Sequence, residues 1–166
     1  LHEAMRYAVL EGGKRIRPLL VYASAQTVNC PAVIADAIAA SIELIHVYSL
    51  VHDDLPCMDN DIMRRGKPTV WKAYGEARAM LVGDALQSLA FEVLADALLH
   101  EKSNHAAATI VALSRAAGIK GMCGGQQMDL DSVGKHLTMQ SLEQMHQHKT
   151  GALLKASVSL PAIAAG

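Results

Sequence analysis

Apolar positions recur at helical spacing along most of the chain, and no stretch alternates apolar and polar residues as a half-buried strand would. Across residues 32–52, Ile34, Ile38, Ser41, Ile42, Ile45, Tyr48 and His52 follow the helical period, with Ala and Ser as small neighbours that permit close packing. Residues 76–101 place Met80, Leu81, Leu89, Val93 and Leu94 on one apolar face, contain no Pro and few β-branched residues, and predict a second long helix. The same pattern predicts a third helix over 105–130. Turn chemistry punctuates the pattern at "NCP" (29–31), "LPCMDND" (55–61), "RRGKP" (64–68), "EKSN" (101–104) and "DSVGKH" (131–136). The expected fold is therefore all-α, a bundle of long helices, and bundles hold their sites between facing helices.

Composition narrows this picture. The 166 residues are 51% hydrophobic and 19% charged, enough for one helical domain over 1–166 with a sizeable core. A net charge of -1 and 4% aromatic residues offer nothing for nucleic acid or anionic lipid to recognise at long range, so no nucleic-acid partner is expected. The longest apolar run, "PAVIADAIAASIELIHVYSLV", is interrupted by Asp36, Glu43 and His46, which predicts a buried helix and no membrane span. No secretory signal is visible, and Cys30, Cys57 and Cys123 form no even framework, as in a reduced, cytoplasmic protein. The chain starts at Leu1, and an apolar pattern restarts after Pro161 just before the last residue, so both ends read as cut.

Charge is concentrated in "LVHDDLPCMDNDIMRRGKP" (50–68). Asp53 and Asp54 fall at the C-terminal end of the first long helix, where the macrodipole already disfavours a carboxylate. Pro56 stops the helix, so a loop must bring Asp59 back towards them. Carboxylates gathered this way need protons or a cation, and an oxygen-only set without paired histidines suits Mg²⁺ shared with a phosphate. An acidic loop with no ligand is the alternative. His46 lies seven residues before Asp53, on the same helical face. A second cluster, "LEGGKRIRP" (10–18), offers Lys14, Arg15 and Arg17 after a Gly pair, and Arg64 and Arg65 add two cations beside the aspartates. Acidic and basic clusters in one small domain fit a diphosphate held partly through metal and partly by direct contact. Solvated surface loops would have the same composition. His146 and His148 have the look of a metal pair, but alternate positions on a helix point different ways, so they read as surface or packing histidines. Asp84 reads as a structural hydrogen-bonding residue inside an apolar helix.

"GGKRIRP", "HDDLPCMDND" followed by "RRGKPT", "LVGDAL", "GMCGGQQMDLD" and "HKTGALL", in this order, resemble the trans-polyprenyl diphosphate synthases, most of all their bacterial farnesyl branch. The resemblance implies an isoprenoid-synthase-type helical bundle around a central cavity, usually a homodimer, that joins isopentenyl diphosphate to an allylic diphosphate with Mg²⁺. It implies Asp53 and Asp59 as metal ligands with Asp54 in support, and Arg64 on the allylic diphosphate. Lys14, Arg17, His46 and Arg65 would hold isopentenyl diphosphate. Lys149 and Thr150 would stand near the allylic group, and Gln126 and Asp129 on the cavity wall. Gly118, Gly121, Gly124 and Gly125 also read as small residues for close helix packing. Tyr48 and Ser49, five and four residues before Asp53, would set product length. The second aspartate-rich motif of such enzymes is absent from these residues, which would make 1–166 the N-terminal and central part of a synthase. Geranylgeranyl synthases, noncatalytic prenyl-synthase-like subunits and terpene cyclases share parts of the pattern. The double-arginine "RRGKPT" and "GGKRIRP" count against a cyclase, which has no isopentenyl diphosphate to hold.

Overall fold

The computed structural model describes residues 1–10 and 12–166; Glu11, inside the basic stretch, lies outside them. Nine α-helices and a short hairpin make up the described residues: α1 (His2–Leu10), α2 (Ile16–Thr27), α3 (Ala32–Asp53), β1 (Met63–Arg64), β2 (Lys67–Pro68), α4 (Val70–Tyr74), α5 (Glu76–His100), α6 (Ala106–Ala117), α7 (Met122–Ser132), α8 (Met139–His146) and α9 (Ala152–Ala165). A π-helical segment, Gln147–Gly151, joins α8 to α9.

The two long helices stand where the periodicity put them. α3 is the central one, packed against α5, α2 and α9, and Ile38, Ile42 and Ile45 are fully buried along it. It has the length and apolarity of a membrane span, yet most of its surface is covered by neighbouring helices, the setting of a core helix. Leu86, Leu94 and Leu98 of α5, Leu113 of α6, and Leu153 and Leu160 of α9 complete the same core.

The expected single helix over 105–130 is two. The backbone leaves the helical basin at Gly118 (φ −84°, ψ −155°) and re-enters it after Gly121, so α6 and α7 are separate rods. Apolar spacing continued across the break, but glycine loses the most backbone freedom on helix formation and gives way first. Conversely α9 runs through Pro161 without restarting. The "RRGKP" break is a hairpin, Arg64 opposite Lys67, turned by Arg65 (φ 54°) and Gly66 (φ 79°), the paired left-handed residues that a two-residue hairpin demands. Tyr7 donates to Pro68 O (2.7 Å) and Lys67 donates to Tyr7 O (2.8 Å), tying the hairpin to α1.

Two glycines let elements touch. A Cβ on Gly83 of α5 would fall 1.9 Å from His52 Nε2 of α3, and one on Gly125 of α7 would fall 2.0 Å from the Lys149 backbone nitrogen. The second obstacle is main chain and cannot swing aside. Gly125→Ala should therefore cost about 2 kcal/mol in urea unfolding, as overpacking does. Gly151→Ala, with φ −65° and its nearest neighbour at 3.6 Å, should shift stability by less than about 1 kcal/mol. Equal costs for the two would argue against the close approach at Gly125.

Candidate functional site

α3 ends at Asp53, with Asp54 capping it, before Pro56 can interrupt the ladder. The loop then doubles back: Met58 N and Asn60 N both donate to Leu55 O, and Asp59 N donates to Asp53 O at 2.8 Å. The return of Asp59 to Asp53, expected from Pro56, is thus made through a backbone hydrogen bond.

Asp53 faces a cavity of about 340 Å³ whose lining includes Arg17, His46, Tyr48, Ser49, Gln126, Lys149 and Thr150. Three separate parts of the sequence, α2, α3 and the α7–π-helical region, therefore meet around one space. Met58, Met122 and Leu130 supply apolar wall. A second cavity, about 410 Å³, is lined by Lys14, Arg15, Arg17, His46 and Arg65 with Glu43. Arg17 and His46 line both, so the two spaces share a wall.

Burial dominates the electrostatics of the shared region. Burial pushes the Asp53 carboxyl up to about 6; Asp59 and Asp54 push the same way, while Lys149 and Arg64 pull it down. Burial together with Arg17, Arg65, Arg64 and Arg15 holds the His46 imidazole down at about 4. Burial also lowers the Arg17 guanidinium, with Glu43 opposing, and Arg17 Nε is buried without a protein partner. Gln126 Nε2 is likewise buried and unpartnered. Buried donors without acceptors are costly; here they border the two cavities, where an anion would satisfy them.

Other expected residues are engaged differently. Asp54, 3% exposed, turns away from Asp53 and accepts from Arg64 at 2.8 and 3.0 Å from Nε, with Arg64 also reaching Asp61 at 3.4 Å. Burial still pushes the Asp54 carboxyl up, and the pairing raises the Arg64 guanidinium. Lys149 is ion-paired with Asp129. Arg15 is not free for an anion: it pairs with Glu43 at 2.5 Å and donates to Val9 O. Asp84 is exposed, 4.0 Å from His52, and is no buried structural residue. His148 Nδ1 lies 2.8 Å from Gln144 O and His146 is exposed, in line with their reading as surface or packing histidines.

Sequence reasoning gave no site role to His52, whose Nε2 meets Met80 O at 3.0 Å, or to Cys123, whose Sγ lies 3.5 Å from the Tyr48 hydroxyl. His52 was legible one turn after Tyr48 on the same face; Cys123 became visible only when α7 crossed α3. Among the described residues no three His, Cys, Asp or Glu side chains converge to chelate a metal. Two neighbouring carboxylates still fit Mg²⁺, which uses one or two and takes its other oxygens from water and phosphate.

The chain belongs to the polyprenyl synthetase family, whose model matches residues 1–166. It is 52% identical to farnesyl diphosphate synthase of Escherichia coli over 99% of its own length and 55% of that relative's. It is 44% identical to a chloroplastic geranylgeranyl pyrophosphate synthase of Capsicum annuum, over 100% of its length and 45% of that protein's. The crystal structure of a geranyltransferase from Legionella pneumophila superposes with a TM-score of 0.94 at 45% identity, covering 98% of this chain and 57% of the other. The isoprenoid-synthase fold expected from the sequence is thus the fold observed, and the chain spans about half the length of the relatives it matches.

The His46 setting has a measurable sign. Its folded pKa, about 4, lies below the ordinary 6.5, so between these values the unfolded chain binds the proton that the folded protein refuses. His46 therefore removes stability as pH falls through that window. Melting temperatures of His46→Gln relative to the parent should shift in the variant's favour as pH drops from 6.5 to 4. A difference that stays flat with pH would show that the imidazole is not held neutral.

Proposed function

We propose that the polypeptide is a prenyltransferase that condenses isopentenyl diphosphate with dimethylallyl or geranyl diphosphate to give farnesyl diphosphate, with residues 1–166 acting as one helical unit. The observation that carries this reading is the cavity that joins Asp53, Lys149 and Arg17 at its charged part to Tyr48, Met122 and Leu130 in its wall. A charged head group and an apolar tail could occupy it together.

In this reading Asp53 and Asp59 hold Mg²⁺, which when bound offsets negative charge on the departing diphosphate. Lys149, exchanging Asp129 for the diphosphate, adds a cation where charge builds, and Arg64 does the same from its Asp54 anchor. Thr150 stands beside the developing allylic cation. Lys14, Arg17, His46 and Arg65 hold the diphosphate of isopentenyl diphosphate; the unpartnered Arg17 Nε supports that role. Gln126, its amide unpaired, and Asp129 orient groups at the wall. No protein nucleophile takes part. The carbon-carbon bond forms as the isopentenyl double bond attacks the allylic cation, and the released pyrophosphate removes the proton.

Tyr48 and Ser49 lie about 7.5 and 6 Å along α3 from Asp53 at 1.5 Å per residue, the depth at which a ring would stop the growing tail. A C20 product is the second reading, favoured by the likeness to the Capsicum annuum protein. The reading further carries a homodimer in the cytoplasm; Leu81 and Leu99 of α5, 55% and 70% exposed, leave apolar surface for such a partner.

The test uses the polypeptide with its native ends, labelled isopentenyl diphosphate and either allylic substrate. Mg²⁺-dependent formation of farnesyl diphosphate is expected, and no prenyl transfer at all would overturn the reading. Asp53→Asn should reduce turnover by at least about a hundredfold. The same variant, metal-free at pH 7.5, should melt at or above the parent, because the folded pKa of about 6 lies above the ordinary 3.8 and the charge subtracts stability once pH passes that window. Mg²⁺ with inorganic pyrophosphate should raise the melting temperature of the parent only. An equal rise in Asp53→Asn would remove Asp53 from the metal site.

A further inference from the structure

The wall opposite the metal end contains a contact that neither charge pattern nor motif order explains. Tyr48 is 5% exposed, and the hydroxyl of a tyrosine buried to this degree normally finds a partner within the protein. A facing helix provides one: Cys123 Sγ, on α7, lies 3.5 Å from the hydroxyl oxygen. One turn along α3, the His52 ring meets the Tyr48 ring edge-on, with centroids 5.9 Å apart and planes at 77°. His52 is itself fixed by Met80 O and fills the space left by Gly83.

A tyrosine side chain has two soft torsions, and on a helix its first is restricted to two staggered wells. Its ring position therefore depends on which well is held. Here the far end of the ring is tied to α7, so the phenol bridges two helices and cannot swing into its other well without losing that hydrogen bond. Cys123 is itself exposed towards the cavity, where its soft, weakly polar sulfur tolerates a hydrocarbon tail alongside it.

Resting on the prenyl-transfer reading, we infer that Cys123 is a positioning residue for product length, holding the Tyr48 ring across the cavity by its hydroxyl. A ring merely filling space would stop the tail by volume alone. A ring held by its hydroxyl stops it only while the hydroxyl is held. The two cases separate through Tyr48→Phe, which keeps the ring and removes only the oxygen.

The experiment compares dephosphorylated products by chromatography, using the polypeptide with its native ends, dimethylallyl diphosphate and excess isopentenyl diphosphate. Cys123→Ala and Tyr48→Phe should each raise the C20-to-C15 ratio by about fivefold, the weight of one released hydrogen bond. Cys123→Ser, which keeps a partner for the hydroxyl, should restore the parent ratio. Cys123→Ala added to Tyr48→Phe should change nothing further, since both remove the same contact. An unchanged ratio in Tyr48→Phe, or full additivity in the double variant, would overturn the inference even if the Cys123 variants fold poorly. A parent that makes C15 while Tyr48→Ala alone lengthens it would leave the prenyl-transfer reading standing and refute the clamp. A parent that transfers no prenyl group would end both.

Discussion

Enclosure of α3 by apolar neighbours is the constraint from which the site follows. α5, α2 and α9 pack around it, and Ile38, Ile42 and Ile45 are fully buried. Each such side chain contributes about 2 kcal/mol on transfer from water, an upper value because the unfolded chain already hides part of it. A helix enclosed to this degree can carry polar groups in few ways. Ser41 returns its hydroxyl to Ala37 O, and Glu43 is met by Arg15. The remaining polar groups of its later turns, His46, Ser49 and Asp53, all line the same cavity. The site is the part of the α3 surface that the core leaves uncovered.

The two aspartates ending α3 show how position divides labour between identical side chains. Both sit at the negative end of the helix dipole and both are pushed upward by burial. Asp54 receives a guanidinium in direct contact and so fastens the hairpin to the end of α3. Asp53 receives no contact of that kind, because Lys149 is held by Asp129. Lys149 and Arg64 offset its carboxylate neighbours only through space, and burial outweighs them. Such a charge subtracts from the metal-free fold at neutral pH and has the most to gain from a cation, a pattern more common at functional sites than in structural ion pairs.

Most of the architecture was legible because α3 and α5 are long, uninterrupted and strongly periodic. The acidic motif was legible for a different reason: Pro56 makes a helical continuation impossible, so Asp59 had to return by a loop. Where the sequence misled, the missing fact was a partner. Apolar spacing ran straight through Gly118–Gly121, and only the backbone angles show that 105–130 is two rods. Arg15 looked equivalent to Lys14 and Arg17 until Glu43, twenty-eight residues away, claimed it. Asp84 looked buried because its sequence neighbours are apolar, yet it lies on the exposed side of α5. Asp54 could not be distinguished from Asp53 by spacing, since adjacent helical positions point about 100° apart and either could have faced the cavity.

The region bearing Lys149 and Thr150 shows how the remaining wall is brought into line. Met145 of α8 and Leu153 of α9 are both buried, eight residues apart. In an uninterrupted α-helix eight positions overshoot two turns by about 80°, which would turn one of them away from the core. The π-helical segment between them widens the turn and absorbs that overshoot. With both anchors seated, Lys149 and Thr150 fall between them and line the cavity. Gly125 then allows α7 to lie directly on the segment, bringing Gln126 and Cys123 to the same space. An added turn residue and a missing side chain, neither of them chemically reactive, thus set where the reactive groups stand.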